Sequence, residues 1–377
     1  MNKKYKFSAP GRIEVSGNHT DHQRGCVLAA AVNADITCEA VHSDLIELKM
    51  DGYGDIAVNP ASADSAEYEK GTPLSLILGV LDYFSKNKYK TGGFRATVHS
   101  NVREGSGLSS SAAFTNLIGT ALNHMFNNGE IPPIQIAKAG QHAENNFFGK
   151  PSGLMDQAAS ALGGFVFIDF GHDEPLTESI KFNPSAHGLT VCVVHTGGSH
   201  ADLTDEYASI PRDMRSVANI LGKDVLGFCN PNDFYNKIYE IRQKVSDRAV
   251  LRAFHFFNET KRVKEQANML KNGDLEGFLR LVNESGWSSV SCLQNIYTNK
   301  LPETQPISLA LALTEQILEG RGACRVHGGG FAGTILAFVP NDLFEKFEKT
   351  LNSIFGENAV HTVEIRDAGV ICIPNES

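Results

Sequence analysis

Apolar and polar residues alternate from Phe94 to Val102, the period of a strand with one buried face. The period then changes. Ala112, Ala113 and Phe114, followed by Leu117, Ile118, Ala121 and Leu122, recur at the spacing of a helix with an apolar face. Between the two lies the turn Gly105-Ser106-Gly107-Leu108-Ser109-Ser110-Ser111. The pattern therefore predicts strand, glycine turn and helix in that order. Further along, Glu144 ends one helical pattern, Gly149 and Pro151 make a break, and Asp156 stands near the start of the next helix. The apolar run 307–313 fits a core helix, and 334–339 reads as a strand entered through the glycine cluster 327–333.

A glycine turn running into a helix is built to hold an anion. Glycine permits positive φ and a close backbone approach, while the first turn of the helix directs unpaired N–H groups and the positive dipole end at the same point. The loop 105–112, made of Gly105, Ser106, Gly107, Leu108, Ser109, Ser110, Ser111 and Ala112, is accordingly the candidate nucleotide-phosphate site. Other kinds of glycine loop are spelled differently. A P-loop needs Gly-Lys followed by Ser or Thr, whereas Gly149-Lys150 and Gly222-Lys223 are followed by Pro and Asp. A dinucleotide fingerprint needs glycine where Ser110 stands. An ordinary Gly/Ser linker does not account for the flanking strand and helix. His327-Gly328-Gly329-Gly330 resembles an esterase oxyanion loop, but no Gly-x-Ser-x-Gly follows it.

Composition bounds the remaining possibilities. A chain of 377 residues with 42% apolar content can bury a large core, and its length favours two domains. The net charge of −9, with no long basic run, argues against a nucleic-acid surface and leaves small molecules as the expected partners. Seven scattered cysteines with no Cys-x-x-Cys pair suggest reduced core thiols. With no apolar leader and no run of membrane-spanning length, the expectation is a cytoplasmic protein, without membrane contact, that is a monomer or weak homo-oligomer.

Polar chemistry concentrates in 11–23, where Arg12, Asn18, His19, Asp21 and His22 follow one another in a glycine-punctuated stretch. His19, His22 and Asp21 could hint at a metal, but the spacing is not His-Glu-x-x-His and no third ligand is evident. Hydrogen bonding to a hydroxyl-rich ligand fits better. Asp156 taken alone could simply be a charge at a helix end.

Together, the segments 11–23, 107–113, 143–160 and 327–333 resemble the GHMP small-molecule kinases, and within them the galactokinases, in order and spacing across nearly the whole chain. The resemblance implies an α/β and α+β two-domain fold. An N-terminal domain, 1–190, would be ribosomal-protein-like with a left-handed βαβ unit and would carry the phosphate loop, and a ferredoxin-like C-terminal domain, 191–377, would close the cleft. It further implies ATP and Mg2+, and transfer of the γ-phosphoryl group to the anomeric hydroxyl of a hexose. Asp156 falls on the family's catalytic aspartate and Arg12 on its partner arginine. Ser111 and Glu144 fall on magnesium-binding groups. Asn18, His19, Asp21, Gly153, Tyr207 and Gly329 join Asp156 as sugar-binding positions.

Two duties are open for Arg12. Beside Asp156 it would hold the carboxylate ionised, lowering its pKa by ~1–3 units, or it would neutralise charge on the moving phosphoryl group. The pattern departs from the family at three places. Galactokinases usually carry glutamate, tyrosine and asparagine where this chain has Asn18, His22 and Glu14. Galactose is the expected sugar. Galacturonate kinases, which resemble this chain in Asp-His-Gln after a non-acidic residue, supply one alternative, and a non-catalytic sugar sensor supplies another.

Overall fold

Apolar alternation in the first forty residues produces two long antiparallel strands, β1 (Tyr5–Ser16) and β2 (Cys26–His42). The computed structural model describes residues 3–52, 54–61, 67–102, 105–150, 152–197 and 203–374. On β1, Phe7, Ala9, Ile13 and Val15 face the main core, which leaves Arg12, Glu14 and Ser16 on the opposite face. That polar face is buried too. Register shifts between Pro10 and Arg12 and between Glu14 and Ser16 bend the strand where it meets the second half of the chain.

The first sheet continues with β3 (Ile46–Met50), β4 (Gly54–Val58), β5 (Phe94–Ser100), β6 (Phe165–Asp169) and β7 (Leu176–Ile180). Most pairs are antiparallel, but β3 and β5 are parallel neighbours, joined by a crossover that includes helix α1 (Pro73–Lys86). Helices α2 (Ser110–Phe126), α3 (Pro133–Ala143) and α4 (Met155–Leu162) pack together and against the sheet. The predicted strand, turn and helix are therefore β5, the loop 105–109 and α2. Glu144 does not end its helix: α3 widens into a π-helical turn, Glu144–Phe148, before Gly149 closes it at φ +89°. Pro151, the other residue of that expected break, lies outside the described residues.

The second half builds a four-stranded antiparallel sheet from β8 (Leu189–His195), β9 (Ala323–His327), β10 (Thr334–Pro340) and β11 (Val360–Val363), in the order β11-β8-β10-β9. That order is the ferredoxin-like one. Between β8 and β9 run α5 (Thr204–Ile220), α6 (Pro231–Asn236), α7 (Ile238–Arg242), α8 (Asp247–Lys271), α9 (Leu275–Ser288) and α10 (Pro306–Leu318), and α11 (Phe344–Phe355) precedes β11. The apolar run 307–313 lies in α10, a helix as expected.

A cut at residue 190 falls just inside β8 and does not divide the chain cleanly. The last strand, β12 (Ile371–Ile373), returns to pair with Lys6–Ser8 of β1 in the first sheet, so residues after about 364 pack with the N-terminal half. The main hydrophobic cluster likewise joins Phe7, Ile13 and Leu117 to Val193, Val263, Phe278 and Phe338. Continuous apolar packing behind the cleft fixes the two halves against each other.

Candidate active site

The candidate phosphate loop is anchored directly on β1. Arg12 N–H donates to the Leu108 carbonyl at 3.0 Å, and the two segments approach closely at Gly11, where an added Cβ would lie 2.9 Å from that carbonyl oxygen. Gly107 takes φ +76° and sits against the β9–β10 turn, where an added Cβ would lie 2.5 Å from Thr334 Oγ1 and 3.0 Å from His327 Nδ1. Ser109, at φ +59°, occupies the N-cap position of α2 but makes no capping bond. Its hydroxyl donates instead to Asp156 Oδ2 at 2.5 Å. The first-turn N–H groups of α2, from Ser110 to Ala112, therefore remain available to an anion.

Asp156 opens α4 and meets Arg12 from β1, with Arg12 Nε 2.7 Å from Asp156 Oδ1. Arg12 is fixed at its other end by a 2.5 Å bond from Nη1 to the Gly107 carbonyl. Burial alone would push the Asp156 carboxyl upward, but the charge and hydrogen bond of Arg12, with help from Lys150 and Ser109, outweigh it and hold it well below the usual carboxylate range. Asp156 is thus an ionised acceptor at neutral pH, oriented on both oxygens.

Ser111 and Glu144 also come together. The Ser111 hydroxyl donates to Glu144 Oε1, which lies 3.5 Å from Lys150 Nζ. Glu144 is fully buried, and its second oxygen, Oε2, has no hydrogen-bond partner among the described residues. A buried carboxylate oxygen without a partner, next to a hydroxyl, suits Mg2+ that arrives with phosphates and needs only one or two protein oxygens. Among the described residues no group of three or more His, Cys, Asp or Glu side chains is placed to hold a metal ion.

Of the other expected sugar-site residues, Asn18, His19 and Tyr207 meet at the turn that holds Gly329, whereas Asp21 lies against Gly153. His19, at φ +57°, is 3.0 Å through Nε2 from the Gly329 carbonyl. The Tyr207 hydroxyl donates to the Gly330 carbonyl at 2.9 Å, and its ring lies against Gly329, where a Cβ would approach to 2.6 Å. Asp21 lies on Gly153 so closely that a Cβ there would overlap the carboxylate at 1.6 Å. Asn18 is placed otherwise than a ligand-reading residue would be. Its side chain is buried: Nδ2 donates to Glu14 Oε1 at 2.8 Å and to the Gly328 carbonyl at 2.7 Å, and Oδ1 accepts from Asn295 at 2.8 Å. The two unusual residues, Glu14 and Asn18, are therefore contact partners. Relative to the usual asparagine and glutamate, the pair has exchanged places and still holds one carboxylate and one amide.

Arg325, His255 and Glu259 in this arrangement were not singled out by the motifs. Arg325, fully buried on β9, pairs with Glu14 at 3.0 Å and donates to the Val15 carbonyl. Burial, only partly offset by Arg325, Arg12 and Asn18, pushes the Glu14 carboxyl up to about 7. His327 Nε2 accepts from Glu14 N–H, so the ring is neutral with Nδ1 facing Thr334; burial and the nearby arginines hold its pKa far down. From α8, Glu259 accepts from Gly17 N–H at 2.8 Å and His255 Nε2 donates to the Asn18 carbonyl at 2.8 Å, clamping the loop from behind. A charged residue in the middle of the mostly apolar Ala323–Val326 stretch was the one available signal for Arg325.

Comparison with known proteins agrees with this geometry. Residues 75–164, which contain α2, the phosphate loop, Glu144 and Asp156, match the GHMP kinases N-terminal domain, and residues 2–41 match the galactokinase galactose-binding signature. The chain thus carries a GHMP kinases N-terminal domain and a galactokinase signature. Among its relatives, the galactokinase of Thermotoga neapolitana is 29% identical, with 96% of this chain and 98% of that protein covered. The galactokinase of Glaesserella parasuis is 28% identical, covering 98% and 92%. Lactococcus lactis galactokinase, solved with galactose, superposes with a TM-score of 0.82 at 21% identity, covering 98% of this chain and 95% of that one. Methanococcus jannaschii mevalonate kinase gives 0.65 at 16% identity, covering 97% and 98%. At these identities the structural matches establish the shared fold.

Proposed function

We propose that this kinase transfers the γ-phosphoryl group of ATP to the anomeric hydroxyl of galactose. The observation that carries the reading is Asp156, ionised and held on both oxygens by Arg12 and Ser109 at the mouth of the phosphate loop. The match of 2–41 to a galactose-binding signature, and the galactokinases among the relatives, support the choice of sugar.

In this mechanism the loop 105–109 and the first turn of α2 bind the triphosphate through backbone N–H groups. Ser111 and Glu144 would hold Mg2+, which supplies neutralisation of phosphate charge. His19, Asp21, Gly153, Tyr207 and the 328–330 turn shape the sugar side. Asp156 accepts a hydrogen bond from the anomeric hydroxyl. Because its carboxylate is held far below the usual range, it is a weak base, and the proton moves late, as the oxygen bonds to phosphorus. Arg12 keeps Asp156 ionised and oriented; with both its Nε and Nη1 engaged, that duty accounts for its placement.

The test is ATP consumption across galactose, glucose and galacturonate, with the product read by 31P NMR. The expected result is an anomeric sugar phosphate formed best from galactose. ATP consumption with galacturonate alone would replace the sugar, and none with any sugar would favour a sensor.

A further inference from the structure

Two cations face the candidate reaction centre, and they are held very differently. Arg12 is buried and pinned at both ends of its guanidinium. Lys150 is 48% exposed in its side chain, and among the described residues its one ion pair is the 3.5 Å approach to Glu144 Oε1. Resting on the proposed kinase reading, we infer that Lys150 is a further catalytic residue: its ammonium leaves Glu144 when the metal-bound triphosphate arrives and pairs with the γ-phosphoryl group as it moves toward the sugar.

The placement carries the argument. Lys150 follows the π-helical turn Glu144–Phe148 and Gly149, so its backbone N–H is tied to the Glu144 carbonyl at 3.0 Å while its long side chain remains free to swing. Its ammonium lies 3.5 Å from Oε1 of the carboxylate proposed for the metal, and its charge helps lower the one proposed for the sugar. The γ-phosphoryl group must pass between those two. With Arg12, Lys150, Asp156 and Glu144 alone, the local charge is balanced. A divalent cation at the unpartnered Glu144 Oε2 displaces the need for Lys150 there, and the added phosphate charge supplies its new partner.

Lys150→Met keeps length and removes charge, and Lys150→Arg restores charge. Steady-state kinetics should give a kcat ~10- to 100-fold lower for Lys150→Met, at or below the range for losing one strong transition-state donor. KM for the sugar should move less than about twofold, and Lys150→Arg should recover most of the loss. Calorimetry without sugar provides an independent readout. A lysine that meets the γ-phosphate favours MgATP over MgADP, so that preference should narrow about fivefold in Lys150→Met. A Lys150→Met variant with unchanged kcat and unchanged nucleotide preference would overturn the inference. So would equal losses in Lys150→Met and Lys150→Arg. Because the calorimetric arm needs no sugar, a wild type inactive on galactose would sink the proposed function while Lys150 is still judged by its nucleotide preference.

Discussion

Asn18→Glu restores the glutamate usual in galactokinases, yet the structure predicts that it damages this protein. Asn18 Nδ2 lies 2.8 Å from Glu14 Oε1 in a site where both residues are buried. A second carboxylate there would sit about 4 Å from the first between charge centres, a repulsion of about 4 kcal/mol at an effective dielectric of ~20. The pair can escape by keeping one group protonated. Because Glu14 already titrates near 7 in the folded protein, holding its proton costs the variant less than ~1 kcal/mol more than wild type at pH 7, but ~3 kcal/mol more at pH 9. The cheaper route sets the loss, so urea unfolding at pH 9 should show a destabilisation of ~3 kcal/mol, shrinking below ~1 kcal/mol at pH 7. The double variant Glu14→Asn/Asn18→Glu again has one carboxylate and one amide. It should recover most of the stability, with a coupling of ~2 kcal/mol. If Asn18→Glu were as stable as wild type at both pH values, or if the double variant were the sum of the singles, the buried contact would not exist as described. The kcat/KM ratio for galactose over galacturonate in the double variant then reads whether position 18 affects recognition at C6.

Two further predictions concern the loop and the buried carboxyl. Gly107→Ala forces a side chain into the left-handed region and against Thr334 Oγ1, so MgATP affinity measured by calorimetry should fall at least ~10-fold with the fold retained by circular dichroism; unchanged affinity would place the phosphates elsewhere. Glu14 titrates near 7 when folded and near 4.3 when unfolded, so between those values the folded state holds the extra proton and wild-type stability falls as pH rises. Glu14→Gln should remove about one proton's worth of that slope, measured as the difference between the two unfolding curves over pH 4.5–7; parallel curves would contradict a raised pKa.

Much of the catalytic half of the site was legible because it is local in sequence. The alternation of 94–102, the glycine turn and the helical spacing after 110 dictate a strand, loop and helix whose order is itself the anion site. Asp156 could be placed at a helix start from Gly149 and the apolar spacing that follows. What the pattern could not supply was contact across the chain. Glu14 meets Arg325 across more than three hundred residues, and no periodicity reports which buried carboxylate faces which arginine. The same holds for the α8 clamp, where His255 and Glu259 look like ordinary polar positions on a helix until the loop 16–18 packs on them. Glu144 was legible as a candidate ligand but not as the start of a π-helical turn, because i→i+5 bonding here depends on Gly149 closing the chain after a normal helical repeat. The return of β12 to β1 was equally hidden: three residues of apolar alternation are too short a signal to name their partner.

The central claim is that Asp156, kept ionised by Arg12, receives the sugar hydroxyl during phosphoryl transfer, and Asp156→Asn tests it most directly. The substitution keeps the shape of the side chain and its contact with Ser109 while removing the charge. Single-turnover formation of galactose phosphate from MgATP should slow by at least ~10²-fold, with MgATP affinity changed less than about threefold. Turnover within about threefold of wild type in the folded variant would contradict the account.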